Sequence, residues 1–166
     1  MIERLGAAPP GTVLQVRRTI AAAPEEVFRA WTDPELFQLW FRPAATRNEG
    51  AELDVRPGGR WRVRLRSAGR RYFAFGEYVA IEPPRRLVFT LGWDRVPLVN
   101  PTDSVVTVEL TEHGDDTELV LTQERLRTVP ERVWHAVGWR MVLGRLVAQR
   151  TRNETRPTRG RSLFRR

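Results

Sequence analysis

The chain of 166 residues contains no cysteine, and all 28 of its basic residues are arginine. These absences exclude thiol catalysis, disulfides and thiolate metal sites, and they leave a Schiff-base mechanism no amine except the N-terminus. The only imidazoles, His113 and His135, fall in different predicted elements, so we expect no metal site and no cofactor. The length and the six tryptophans fit one folded domain.

The net charge of +8 is unevenly distributed along the chain. Residues 151–166 carry six arginines and one glutamate, a net +5, which leaves +3 for the rest. We interpret 151–166 as a disordered arginine-rich tail, 13–150 as the folded domain and 1–12 as a flexible lead. Nucleic acid is expected to bind only weakly, through the tail. No apolar run reaches the roughly 20 residues of a membrane span, and no secretory signal is visible, so we expect a cytoplasmic protein.

A strand and two short helices are predicted first. The segment "VLQVRRTIAA" alternates as a strand does, and "EEVFRAW" after Pro24 has acids in its first turn and helical apolar spacing. Either Thr32 or Asp33 can cap a second helix, with Pro34 at its first position. That helix reads "PELFQLWF" and ends before Pro43.

Six strands are predicted next. The clearest is "RWRVRLRS", which places Trp61, Val63 and Leu65 on one face and Arg60, Arg62, Arg64 and Arg66 on the other. The turn "RPGG" precedes it, since glycine allows positive φ. The other strands, in order, are "ATRNEGAELDV", which is irregular, then "RRYFAFGEYVAIE", "RLVFTLGW", "DSVVTVELTE" and "DTELVLTQER".

The last predicted element is a long helix over residues 130–150, with Pro130 at its start. Its apolar face is wide, so we expect it to be largely covered. That face contains Val133, Trp134, Val137, Trp139, Met141, Val142, Leu143, Leu146 and Val147. The order of elements predicts an α+β fold, in which a curved antiparallel sheet wraps around the C-terminal helix and two short helices follow the first strand.

Several of these segments, in order, resemble the START-like (SRPBCC, helix-grip) superfamily. They are "RTI…AAPEEVFRAWTDPELFQLWF", "RPGGRWRV", "GEYVAIEPPRRLVFT" and "VGWRMVLGRL". The similarity is to the bacterial branch named after the C-terminal domain of the activator of heat-shock-protein ATPase, and it covers about residues 13–150. The superfamily includes lipid binders, cyclases and aromatases, hormone receptors and co-chaperones, so the resemblance implies a fold without choosing a function.

The resemblance implies a cavity between the sheet and the long helix. Strand parity and helix spacing, together with the resemblance, predict a mainly apolar lining. The candidate lining residues are Trp40, Trp61, Val63, Phe73, Phe75, Glu77, Phe89, Leu91, Trp93, Val106, Val108, His135 and Trp139. Trp31 and Trp40 have a structural interpretation as anchors of the short helices, whereas the resemblance implies that Trp40 and Phe41 belong to the cavity mouth.

Two titratable candidates stand out. Glu77 shares parity with Phe73 and Phe75, which points it inward, where Arg18 is a candidate partner. Alternatively, a bulge at Gly76 turns Glu77 outward. His135 precedes Trp139 by about one helical turn and has two interpretations, a satisfied core residue or a general base.

The sequence leaves three functions open, and it assigns no catalytic residue. The first is non-catalytic binding of a small hydrophobic or amphipathic ligand. The second is a protein-interaction or co-chaperone-like role for the outer arginine face (Arg60, Arg62, Arg64 and Arg66), which otherwise pairs with acids on neighbouring strands. The third is a cyclase/aromatase-like or hydrolytic enzyme, which requires Glu77 or His135 beside a void.

Overall fold

A computed structural model describes residues 13–94, 96 and 104–154 of the protein, with side-chain detail up to residue 149. The elements of this part are β1 (Leu14–Ile20), α1 (Pro24–Thr32), α2 (Pro34–Trp40), β2 (Arg47–Leu53), β3 (Arg60–Ser67), β4 (Arg70–Glu82), β5 (Arg86–Asp94), β6 (Ser104–His113), β7 (Asp116–Glu124) and α3 (Val129–Glu154). The seven strands of this part form one antiparallel sheet in the order β1-β7-β6-β5-β4-β3-β2.

The predicted helices and strands are all present in the predicted order, which confirms the α+β class and the helix-grip architecture. The long helix differs at its ends, since α3 runs from Val129 to Glu154 rather than over 130–150. Residues 151–154 contain neither proline nor glycine, so nothing in their sequence stops the helix at residue 150. The predicted lead 1–12 and residues 155–166 of the predicted tail lie outside the described residues.

Asp33 forms the junction between the two short helices. Its Oδ1 accepts hydrogen bonds from the backbone N–H of Glu35 (2.9 Å) and of Leu36 (3.3 Å), so it is the N-cap of α2. The other candidate, Thr32, instead donates its hydroxyl to the Phe28 carbonyl (3.0 Å). The cap places α2 directly after α1 with a single residue between them.

Trp31 and Trp40 anchor these helices, as the structural interpretation predicts. Both indoles are buried, and they meet edge to face with ring centroids 4.6 Å apart. Trp40 donates its Nε1–H to the Ala30 carbonyl at 3.0 Å, while Trp31 packs against Phe89 on β5 at 6.1 Å. The aromatic pair therefore joins α1 and α2 to the inner face of the sheet.

Strand pairing corrects the predicted orientation of β4. Residues directly opposite each other in antiparallel strands share a face. On the inner face, the β3–β4 pairs are Trp61 with Gly76, Val63 with Ala74 and Leu65 with Tyr72. On the outer face, the pairs are Arg60 with Glu77, Arg62 with Phe75 and Arg64 with Phe73. Phe73, Phe75 and Glu77 therefore lie on the outer arginine face, and their predicted inward orientation is wrong.

The error in β4 has a simple physical cause. Both parities of "RRYFAFGEYVAIE" are apolar, so alternation within this strand does not identify its inner face. The bulge proposed at Gly76 is also not the reason, because the register shift in β4 lies between Tyr78 and Ala80. Arg18 contacts the other side of the sheet, where it donates to the Arg140 carbonyl of α3 (3.5 Å), and it cannot pair with Glu77.

A chain of buried hydrogen bonds links α3 to three strands. Trp139 donates its Nε1–H to Oε1 of Gln123 (2.8 Å), Gln123 donates through Nε2 to Oγ of Ser104 (2.8 Å), and Ser104 donates to the Leu91 carbonyl (2.9 Å). Each member of this chain is buried, so each polar atom in it depends on its partner. The chain fixes the rotation of α3 about its own axis relative to β5, β6 and β7.

Replacing Gln123 with Leu is expected to lower the free energy of unfolding by about 1–3 kcal/mol, because it leaves the Trp139 indole N–H buried without an acceptor. Urea unfolding followed by circular dichroism measures this loss. Gln15→Leu is the matched control: Gln15 is exposed on β1, and its replacement should change stability by no more than about 0.5 kcal/mol. Equal losses in the two variants would contradict a role for the chain.

Candidate functional site

A cleft of about 800 Å³ opens beside the N-terminal half of α3. One wall is α3 from Val129 to Val142, and the opposite wall combines Leu91 and Trp93 of β5 with the segment after α2. That segment contributes Phe41, Pro43 and Ala44. We call this space the α3 cleft. Its volume falls within the range of about 300–1,000 Å³ that is typical of small-molecule pockets.

The helix α3 is apolar on two sides, and the structure covers only one of them. His135, Trp139, Val142, Leu143 and Leu146 are buried against the sheet and the short helices. We define the α3 stripe as the exposed apolar residues of the other side: Val129, Val133, Trp134, Val137 and Met141. The expectation that the wide apolar face is largely covered is wrong, because these side chains are 39–58% exposed. The stripe forms one lip of the α3 cleft.

Four of the thirteen candidate cavity residues line the α3 cleft: Leu91, Trp93, His135 and Trp139. A second group is buried in the core away from the cleft, namely Trp40, Trp61, Val63, Phe89, Val106 and Val108. Phe73, Phe75 and Glu77 lie on the outer face. The space predicted along the middle of the sheet is therefore displaced to one end of α3.

Aromatic packing explains this displacement. Trp61 meets Phe89 at 5.5 Å between ring centroids, and Phe41 meets Trp139 at 6.0 Å, so large rings fill the volume between the sheet, the short helices and the middle of α3. Among the residues that line the α3 cleft, Pro43, Ala44 and Gly138 were not anticipated from the sequence. The valines at 129, 133 and 137 recur at helical spacing, and this spacing is the sequence signal from which the second face could have been found.

His135 is the only imidazole in the wall of the α3 cleft, and both of its nitrogens are engaged. Nε2 accepts the indole N–H of Trp93 (3.2 Å), so Nδ1 carries the proton and donates it to the Glu131 carbonyl (2.9 Å). The neutral ring therefore bridges α3 and β5. This geometry corresponds to the interpretation of His135 as a satisfied core residue, with no nitrogen free to act as a base.

The environment of His135 favours the neutral ring. Burial lowers its pKa below the ordinary value of 6.5, and the carbonyl and the charge of Glu131 raise it by a smaller amount. The Glu131 carboxylate is itself held in place, because Oε2 accepts the backbone N–H of Arg127 at 3.0 Å. A second proton, on Nε2, would point at the Trp93 N–H. Protonation of the ring would therefore break the hydrogen bond between Trp93 and His135.

The free energy of unfolding is expected to fall as the pH is lowered from about 6.5 toward the folded-state pKa of His135. In that window the unfolded chain binds a proton that the folded, buried ring does not; above about 6.5 the full stability is present. Each unit of difference between the two pKa values corresponds to about 1.4 kcal/mol. Urea unfolding at a series of pH values measures this slope. In His135→Gln the free energy of unfolding should depend less steeply on pH over this window. An unchanged pH dependence would contradict its assignment to His135.

The outer arginine face is partly neutralised by strand β2. Arg64 lies 3.9 Å from the Glu52 carboxylate and Arg66 lies 3.5 Å from that of Glu49. Such exposed cross-strand pairs are what the structural interpretation of the stripe predicts. Arg62 instead stacks on the ring of Phe73, 4.0 Å from its centroid. A protein-interaction role for this face stays a prediction.

The described part of the chain also bears on two other kinds of site, a metal centre and a membrane span. Within it, no three histidine, aspartate or glutamate side chains lie close enough together to hold a metal ion. The helices that the structure describes include none with the length and apolar character needed to cross a bilayer.

Residues 21–149 match the protein family described as "Activator of Hsp90 ATPase homolog 1-like protein". The chain belongs to this family. The family lies within the START-like (SRPBCC) superfamily, so the resemblance seen in the sequence is confirmed. Membership supports a ligand-binding or co-chaperone-like module in general terms. No curated protein matches the chain by sequence.

Bacterial proteins of known structure share this fold. One from Chromobacterium violaceum is 26% identical, with a TM-score of 0.75, and the match covers 84% of this chain and 96% of the other. The AHSA1 protein from Silicibacter pomeroyi is 25% identical, with a TM-score of 0.74 and coverage of 85% and 99%. A Nitrosomonas europaea protein, 22% identical with a TM-score of 0.73 and coverage of 87% and 97%, shows the same fold.

Proposed function

We propose that the protein binds a small hydrophobic or amphipathic molecule in the α3 cleft, without covalent chemistry. The observation that carries this proposal is an open space of about 800 Å³ whose walls are almost entirely apolar side chains. A cleft with apolar walls and few polar groups is the usual arrangement of a small-molecule site.

The α3 stripe supplies a driving force for binding. Val133, Val137 and Met141 expose apolar surface at the cleft, where water contacts them in the free protein. Each square ångström of apolar surface that a ligand removes from water contributes roughly 25 cal/mol. Contiguous exposed apolar surface of this kind commonly marks a binding site.

The buried indole and imidazole nitrogens of the cleft wall, those of Trp93, Trp139 and His135, favour an apolar occupant. The N–H of Trp93 is donated to His135, and the N–H of Trp139 is donated to Gln123. Because these donors are already used, a ligand gains little from polar atoms placed against them. The proposal therefore favours shape and apolar contact over hydrogen bonding in the interior of the cleft.

Membership in the activator of Hsp90 ATPase homolog 1-like family is compatible with this function, since ligand binding is one of the general roles that it supports. The proposed lining retains Leu91, Trp93, His135 and Trp139 from the candidate cavity residues and Phe41 from the expected cavity mouth, and it adds the α3 stripe.

Gly138→Leu is expected to weaken binding of a neutral apolar probe, decanol, by about tenfold or more, equivalent to ~1.4 kcal/mol. Gly138 lies in the cleft wall, and a Cβ added there meets no atom within 4 Å, so the base of a leucine side chain has room and we expect the side chain to occupy part of the cleft. Affinity can be measured by the change in tryptophan fluorescence, because Trp93, Trp134 and Trp139 line the space.

Gly144→Leu is the matched control on the same helix. A Cβ at Gly144 also meets no atom within 4 Å, but this residue lies outside the cleft wall. Both leucines should raise helix stability by about 0.5–1 kcal/mol, because glycine is a poor residue in a helix interior. Only Gly138→Leu should weaken decanol binding. Unchanged binding in Gly138→Leu, or no binding of decanol by the wild-type protein, would reject the α3 cleft as the site.

A further inference from the structure

The polar end of an amphipathic ligand needs a partner that the interior of the α3 cleft does not offer. The indole N–H groups of Trp93 and Trp139 and both nitrogens of His135 are engaged within the protein. The charged side chain in the wall of the cleft is that of Glu131, an acid near the N-terminal end of α3. An anionic group is therefore disfavoured at that end of the cleft.

The opposite end of the cleft carries positive charge. Arg145 follows Met141 by four residues, so it lies on the same side of α3, one turn beyond the cleft wall. Its guanidinium donates to the carbonyls of Arg42 (2.5 Å) and Ala44 (3.2 Å). These bonds hold the segment of Pro43 and Ala44, which forms the opposite wall, against the helix.

Arg42 brings a second cationic residue to this end of the cleft, because its backbone carbonyl accepts a hydrogen bond from the Arg145 guanidinium. Burial, and to a smaller extent the charge of the exposed Arg42 side chain, lowers the pKa of Arg145 below its ordinary value. No carboxylate among the described residues forms an ion pair with either side chain, whereas the guanidinium groups of Arg64 and Arg66 do have acidic partners. The two cations therefore repel each other without a compensating acid in the described part of the chain.

We propose that the occupant of the α3 cleft is an amphiphile with an anionic head, which lies between Arg42 and Arg145 while its apolar part contacts the α3 stripe. An anionic oxygen at this position relieves the repulsion between the two guanidinium groups and accepts charge-assisted hydrogen bonds. It also keeps the head far from Glu131, since fourteen residues of helix separate Glu131 from Arg145, about 21 Å. This inference rests on the proposed function, because it names the class of ligand for the same cleft.

Three probes with the same ten-carbon chain test the inference: decanoate, decanol and decyltrimethylammonium. Binding to the full-length protein is measured by tryptophan fluorescence at low ionic strength, with each probe below its micelle concentration. Decanoate is expected to bind about fivefold more tightly than decanol, the size of one partly exposed ion pair, and decyltrimethylammonium more weakly than decanol. Added salt should reduce the preference for decanoate, because exposed charges are screened.

Arg42→Gln should reduce the preference for decanoate, because only the Arg145 guanidinium then remains for the anionic head. It should weaken decanol much less than decanoate, since the backbone carbonyl that Arg145 contacts is retained. Arg42→Glu should abolish the preference, because the new carboxylate neutralises the charge of Arg145. Arg60→Gln is the control, because it removes the same charge from an exposed arginine on the outer arginine face. Circular dichroism and the thermal midpoint establish that each variant is folded.

The outcomes separate this inference from the proposed function. Equal affinities for decanoate and decanol in the wild-type protein would overturn the inference and leave the apolar cleft intact. A preference that Arg42→Gln leaves at its wild-type size, or that Arg60→Gln reduces equally, would also overturn it. If none of the three probes binds, both the proposed function and the inference fail. If decanol binds, and Gly138→Leu weakens decanol binding while Arg42→Gln does not, then the apolar cleft and its charged end are separate parts of the site.

Discussion

The close approach of β4 to β5 at Gly76 is the constraint on which the rest of the structure depends. A Cβ at Gly76 would lie 1.8 Å from the Thr90 carbonyl oxygen and 2.6 Å from Nε1 of Trp61, so no other residue fits. The absence of a side chain lets the Trp61 indole cross β4 and donate to the Thr90 carbonyl at 3.0 Å. This contact joins three strands and sets their inner face.

From this register follows the distribution of aromatic side chains. Trp61 and Phe89 enter the core, where they meet Trp31 from α1, and this cluster fills the middle of the sheet. Phe75 lies on the outer side instead, across the backbone of Gly92, where an added Cβ would be 3.0 Å from its ring. The filled centre confines the space between the sheet and α3 to the N-terminal half of that helix. The buried hydrogen bonds of Gln123 and His135 hold that half in a fixed orientation.

Placement of charge then gives the cleft two different ends. Glu131 lies near the N-terminus of α3 and Arg145 near the loop that follows α2, with the α3 stripe between them. The core covers one apolar side of α3, and the other side, the α3 stripe, is exposed. Family membership allows ligand binding or a co-chaperone-like role, and the apolar cleft favours the first of these.

The sequence by itself determined the order of the helices and strands, the cap at Asp33 or its neighbour, and the inner face of β3, because strict alternation and turn residues act locally. It did not determine the inner face of β4, where both parities are apolar and only pairing with β3 decides. It also indicated a wide apolar face on α3 without showing which part is exposed. That division, and with it the position of the cleft, depends on how distant aromatic rings fill the core, which only the tertiary structure decides.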